Sequence, residues 1–252
     1  MQTKAPTQSE LAYHGLRRDI LECRLLPGSK VKMNYVCDTY GISLGAAREA
    51  LSRLTSDGMT VMEAQKGFTV AEVSWEEYAQ LTETRAEIEV SCLRKSIMNG
   101  DVEWESRVVA ALHRLTRVQD SGHSRDQAGP TPVWVEAHTE FHRALVAACP
   151  NRLQLDLREA LYTRSERYRY WSQALSLKLG QRDVNKEHLE LAELAQSRDI
   201  EAACAAMEGH FTRTAHDMLA AAALAGDGLP VLADRSTAFR AAPEPPRLPA
   251  RG

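Results

Sequence analysis

Residues Tyr35 to Leu54 read YVCDTYGISLGAAREALSRL, and the reading of this stretch decides the fold. Two short helical patterns meet at Gly41, and Ser43 stands where the second helix needs an N-cap, which is the grammar of a helix-turn-helix. In the second helix Ala46, Ala47, Ala50, Leu51 and Leu54 fall on one side, leaving Gly45, Arg48, Glu49, Ser52 and Arg53 towards the other. The small residues allow close packing on a neighbouring helix, and the charged side is left for a partner. On this stretch alone a DNA reader and an ordinary helical hairpin of an all-α core remain open.

Working outward, Leu11, Leu16, Ile20 and Leu21 have helical spacing within Ser9 to Arg24, and Pro27-Gly28 ends that helix with a turn. Lys30 to Lys32 read as a brief extended link. Beyond the quoted stretch, Ser56-Asp57-Gly58 is a helix stop. Met59 to Glu63 and Phe68 to Val73 then flank Gln65-Lys66-Gly67 as a β-hairpin. Three helices and a two-stranded wing make a winged helix-turn-helix over residues 1–73.

The whole chain has 252 residues, 44% of them apolar and 26% charged, with a formal net charge of -3. That is a globular composition with no overall basic excess, so any nucleic-acid contact must come from locally placed charge. No apolar run approaches the roughly 20 residues of a membrane span, and the expected location is the cytoplasm. Cys23, Cys37, Cys92, Cys149 and Cys204 are scattered, odd in number and never spaced as CxxC, which argues against a thiolate metal cluster.

From Ser74 to about residue 222 the pattern is helical apart from one polar loop, giving a mainly α protein with an all-α second domain; residues 223–252, ending AAPEPPRLPARG, lack periodicity and read as a disordered tail. On the helix Ser74 to Asn99, Tyr78, Leu81, Ile88 and Cys92 share a face with Arg85. An arginine on an apolar face needs an anion, either a carboxylate partner such as Glu89 or a carboxylate ligand held bidentately. A loop from Gln119 to Pro132 carries His123. The next helix, Val133 to Cys149, contains His138 and His142 at i, i+4, the spacing of a two-ligand metal site. On the helix from Arg152, Leu157, Leu161, Arg164, Tyr168 and Trp171 fall at helical spacing, so Arg164 and Tyr168 are ligand candidates or side chains snorkelling over a core edge. His188 and His210 lie on two further helices.

The segments LECRLLPGSKV, REAL at Arg48 to Leu51 and QKGFTV resemble the DNA-binding domain of the GntR family. That likeness implies a recognition helix in the major groove of a near-palindromic operator and a wing along the adjacent backbone. The implied contacts are Arg48, Arg53, Lys66 and Gly67, with Ser43 at a helix N-terminus able to hold a phosphate. Relatives follow the cap with Arg-Thr-Pro or similar, whereas Leu44-Gly45-Ala46 stand here. The second half is similar to the FadR-like, FCD-type effector domain of the same family, through TRAEIE at Thr84 to Glu89, FHRALVAACPN ending at Asn151, and the run from His188 to His210. The likeness implies a homodimeric ligand-responsive regulator, most often a repressor. In it one Asp and three His hold a divalent metal beside a small carboxylate. His142, His188 and His210 take the histidine places and His138 takes the aspartate place. The HxxFH form also resembles the carbon-starvation-type, glutarate-responsive regulators.

Four neutral nitrogen ligands favour zinc or nickel over calcium or magnesium and leave the metal charge for an anionic effector. Coordination by His138 and His142, His188 and His210 together, by the latter three alone, or no metal at all are the alternatives. A metal-dependent hydrolase or lyase is the rival reading. Its sole base candidate, Glu140, points away from the histidine pair at i+2, so no enzyme is expected. A third reading is an effector-binding module that no longer binds DNA, suggested by the missing Arg-Thr.

Overall fold

The computed structural model describes residues 6–121, 125–126, 129–179 and 182–225. The chain divides into two compact units, the first ending at Ser74 and the second beginning at Trp75.

The first unit opens with α1 (Gln8–Leu21), started by a capping box in which Thr7 accepts from the Glu10 amide while the Glu10 carboxylate accepts from Thr7. After β1 (Lys30–Val31) come α2 (Met33–Tyr40) and α3 (Leu44–Ser56), then β2 (Thr60–Glu63) and β3 (Gly67–Val70). Gly41 caps α2 at φ 62, a left-handed conformation that an L side chain resists. Gly15 on α1 lets α2 approach, since a Cβ there would stand 2.3 Å from the Tyr40 ring. Tyr40 then donates to Asp19 at 2.6 Å, and Asp19 also accepts from Arg24 at 2.7 Å. Ala47, Ala50, Leu51 and Leu54 of α3 are fully buried, as are Ala12 and Leu16 on α1, against which α3 packs. Each such leucine contributes about 1.5–3 kcal/mol by leaving water.

The wing differs from the expected hairpin in one respect. The segment read as a link, Lys30–Val31, pairs antiparallel with β3, so the sheet has three strands in the order β1-β3-β2. Two residues carry too little periodicity to announce a strand; their partner supplies the hydrogen bonds.

The second unit is built on α4 (Trp75–Asn99), which packs on α6 (Pro132–Val146), α7 (Arg152–Leu179) and α9 (Ile200–Ala225), while α5 (Val102–Asp120) packs on α6 and α8 (Val184–Gln196). A continuous apolar core includes Leu93, Trp104, Phe141, Leu145, Leu191 and Met207. Within it Trp104 donates its indole N–H to the Ala144 carbonyl at 2.9 Å, satisfying its one polar atom. The stretch read as a loop between α5 and α6 contains a short antiparallel pair, β4 (Arg125–Asp126) with β5 (Gly129–Pro130); His123 lies outside the described residues. Residues 223–225 continue α9 rather than beginning a tail, because the alanine run from Ala220 is helix-forming; the tail from residue 226 lies outside the described residues.

Candidate functional site

Three helices deliver four imidazoles to one point. His138 and His142 project from α6 one turn apart, His188 from α8 and His210 from α9, all buried, with one ring nitrogen of each within 4.8 Å of the others. The rings of His142, His188 and His210 stand 5.1–5.5 Å apart centre to centre, and His138 lies 4.5 Å from His142. His138 is stacked on Trp134 at 4.6 Å, which fixes its plane. Burial, then the neighbouring His138, His210 and His188, holds His142 well below the ordinary histidine value. Burial and then His210 do the same for His188, and burial lowers His210 against the opposing pull of Glu187. His142, His188 and His210 are therefore neutral at pH 7, the form in which imidazole binds metal.

Both ring nitrogens of His142 and of His188 lack a hydrogen-bond partner among the described residues. A buried polar group left this way costs about 1–3 kcal/mol, and a cation in the centre would satisfy one nitrogen of each. The donor set fits a borderline ion such as zinc or nickel. A carboxylate also orients one ring of the cluster: Glu187 on α8 takes the Nδ1 side of His210 at 2.8 Å, which turns Nε2 to the cluster. Glu187 is itself held by Arg182 at 2.6 and 2.8 Å and by Arg213 at 3.0 Å. Burial would raise its carboxyl, but these partners outweigh that and keep it well below the usual carboxylate range.

Beside the cluster lies a layer of buried cations. The Arg85 guanidinium sits 4.6 Å above the Phe211 ring, and Phe211 is 6.2 Å from His142, so one ring separates the two layers. Arg85 donates to Ser165 at 3.0 Å and to Glu89 at 3.3 Å; the other Glu89 oxygen accepts from Arg158 at 2.8 Å. Glu89 is thus the carboxylate partner that the sequence offered for Arg85, shared with a second buried arginine. Arg158 Nη2 has no hydrogen-bond partner among the described residues.

In the first unit the Ser43 hydroxyl caps α3 by accepting from the Ala46 amide at 3.3 Å, and Ser43, Leu44, Gly45, Arg48, Glu49 and Ser52 form its exposed side. Arg53, also exposed, lies about 7.5 Å beyond Arg48 along the helix axis, its guanidinium 4.2 Å over the Tyr13 ring. The wing tip turns through Gln65 at φ 64 and Gly67 at φ 89, and between them Lys66 pairs with Glu63 at 2.6 Å.

Residues 8–70 match the family described as bacterial regulatory proteins, gntR family, and residues 80–213 match the FCD domain. The chain belongs to the GntR family of regulators with an FCD domain. It is 37% identical over 192 residues to BphR of Paraburkholderia xenovorans strain LB400, an uncharacterized HTH-type transcriptional regulator, covering 76% of this chain and 77% of that protein. It is 30% identical over 200 residues to the HTH-type transcriptional repressor GlaR of Escherichia coli K12, covering 79% and 90%. Among solved structures, Escherichia coli McbR/YncC superposes with a TM-score of 0.67 at 16% identity, covering 85% of this chain and 98% of that one, a likeness of fold. The GntR-family protein is a ligand-responsive, DNA-binding transcription regulator and not an enzyme. Glu140, the one candidate base, is exposed and paired with Arg114. No described helix is long and apolar enough to cross a membrane.

Arg164 and Tyr168 do not share the regulator's histidine layer. Arg164 is 53% exposed in its side chain and clamps Glu77 at 2.7 and 3.0 Å, while the buried Tyr168 hydroxyl stands 3.4 Å from the same Glu77 and its ring 4.8 Å from Tyr78. The Trp171 side chain lies outside the described residues. The face reading of α7 was misplaced because the helix is turned round: Arg158, Tyr162 and Ser165, at i, i+4, i+7, point inward, and Leu153 and Leu157 are exposed. Arg158 and Glu187 were missed for this reason and for want of a motif. The available signals were a polar stripe at helical spacing and a carboxylate preceding a cluster histidine in EHLE.

Proposed function

We propose that this regulator is a homodimeric repressor. Its helical domain holds one divalent ion, zinc or nickel, through His138, His142, His188 and His210, and binds a small dicarboxylate such as glutarate there. The observation that carries this reading is the set of four clustered, buried imidazoles with His142 and His188 unsatisfied at both nitrogens among the described residues. Such a ligand set leaves the dipositive charge to an anion. One effector carboxylate would complete the ion's coordination, and the second would reach Arg85 and Arg158, where two buried cations share Glu89. Arg164 and Tyr168 act at the rim through Glu77. On the DNA side Ser43, Arg48 and the Lys66-Gly67 wing contact a near-palindromic duplex, with Arg53 at the edge of that surface. One half-site offers too few contacts for selective binding, which is what favours a two-fold dimer. The effector controls DNA binding by favouring one arrangement of the dimer over the other. Repression follows the description of GlaR, and the compartment is the cytoplasm.

The test is a thermal-shift screen of small mono- and dicarboxylates with and without added zinc or nickel. A ligand at a hundredfold excess over its dissociation constant stabilises the native state by about 2.7 kcal/mol, a shift of several degrees. A dicarboxylate shift that requires the metal supports the proposal; a screen in which metal and carboxylates leave the melting temperature unchanged overturns it.

A further inference from the structure

The first residue of the recognition helix is a leucine that the described residues leave more than half exposed. Leu44 is 53% exposed, although the rest of the apolar side of α3, Ala47, Ala50, Leu51 and Leu54, is fully buried. It lies one turn from Arg48, so the two side chains rise from the same exposed strip. Its neighbour Gly45 leaves that end of the helix slender. A Cβ added at Gly45 would meet no atom closer than Ser43 Oγ at 3.9 Å, so packing within the unit does not require glycine there. An uncovered leucine beside a bare backbone, followed by an exposed arginine, makes an apolar tip where a helix enters the major groove.

We propose that Leu44 reads the C5-methyl group of a thymine in each operator half-site, with Gly45 permitting the close approach and Arg48 contacting the adjacent bases. The chemistry is specific. In the major groove the thymine methyl is the one apolar mark among hydrogen-bonding edges, and an aliphatic side chain recognises it by contact and exclusion of water. Cytosine presents an amino donor at the neighbouring position, and leucine can pair with no donor, so the same side chain disfavours a C·G pair. The proposal rests on α3 being the reading helix of a DNA-bound dimer.

Full-length wild type, Leu44→Ala and Arg48→Ala are each used to select binding sites from a randomised duplex pool, after which every thymine of the wild-type site is replaced in turn by deoxyuridine, which lacks only the methyl. Leu44→Ala keeps its fold, because an exposed leucine gives way to the best helix former. The expected result is one thymine per half-site that wild type requires and Leu44→Ala does not. At that base deoxyuridine weakens wild type about fourfold per half-site, the value of one buried methyl, and leaves Leu44→Ala unchanged. A selected site at which Leu44→Ala keeps every thymine preference, or at which no deoxyuridine replacement weakens wild type, overturns the assignment of Leu44 alone. Arg48→Ala binding as tightly as wild type, or no enrichment with any protein, overturns the reading of α3 and the Leu44 assignment with it.

Discussion

The two units of this chain put their polar residues in opposite places. Among the described residues the first unit buries three polar side chains, Ser9, Asp19 and Thr60, and the second buries eleven, including four histidines, three arginines and two glutamates. The first unit has an ordinary dry core and keeps Ser43, Arg48 and Lys66 outside, which suits a surface that docks on DNA. The second accepts desolvation costs in its interior that no packing argument explains. Buried charge destabilises unless it is paired, which is why the proposed ligand site lies in the second unit and not in the first.

The comparison breaks most sharply at Glu89, whose removal leaves Arg85 and Arg158 without their shared anion. Glu89→Gln should cost about 3–5 kcal/mol in urea unfolding of the helical unit, because both its cations are buried, whereas Asp19→Asn in the first unit, where Arg24 is 40% exposed and stays hydrated, should cost about 1–2 kcal/mol. Equal losses would remove the contrast. Acid sharpens it next. His142 and His188 have native values well below 6.5, so the unfolded chain binds protons that the folded one refuses. Without metal, stability is therefore full above about pH 6.5 and declines as pH falls below it, by about 1.4 kcal/mol per ring per pH unit until the native value is reached. A chelated sample with the same urea midpoint at pH 7.5 and pH 5.5 would speak against neutral buried rings.

On the reader, Arg48→Ala should weaken operator binding by about 1–3 kcal/mol with the fold intact, measured by gel-shift titration. The smallest effect belongs to Lys66, which Glu63 already occupies. Lys66→Ala should reduce the salt dependence of binding by about one phosphate contact without altering sequence preference. A changed preference would move Lys66 from backbone to base.

Regular elements were legible wherever the apolar side faces the core. The pattern of α3 places its four buried residues correctly, and α4 carries Tyr78, Leu81, Arg85 and Cys92 inward as its spacing requires. Legibility failed where that premise fails. On α7 the inward stripe is Arg158, Tyr162 and Ser165, so reading leucines as buried rotated the helix and put Arg164 in the wrong place. The histidines could be gathered from three helices only through the family likeness, since an i, i+4 pair identifies two of them and spacing says nothing of the others. EHLE sets a carboxylate beside His188, but that Glu187 serves His210 instead depends on where α8 meets α9, which is a tertiary fact.

On this reading the buried polarity of the helical unit is a metal centre. Its most direct test is the divalent metal content of full-length protein purified without a histidine tag, determined by elemental analysis beside the His142→Ala/His188→Ala variant. One zinc or nickel ion per chain in the wild type and none in the folded variant is the predicted result; a folded wild type free of metal, or a variant that keeps the ion, would contradict it.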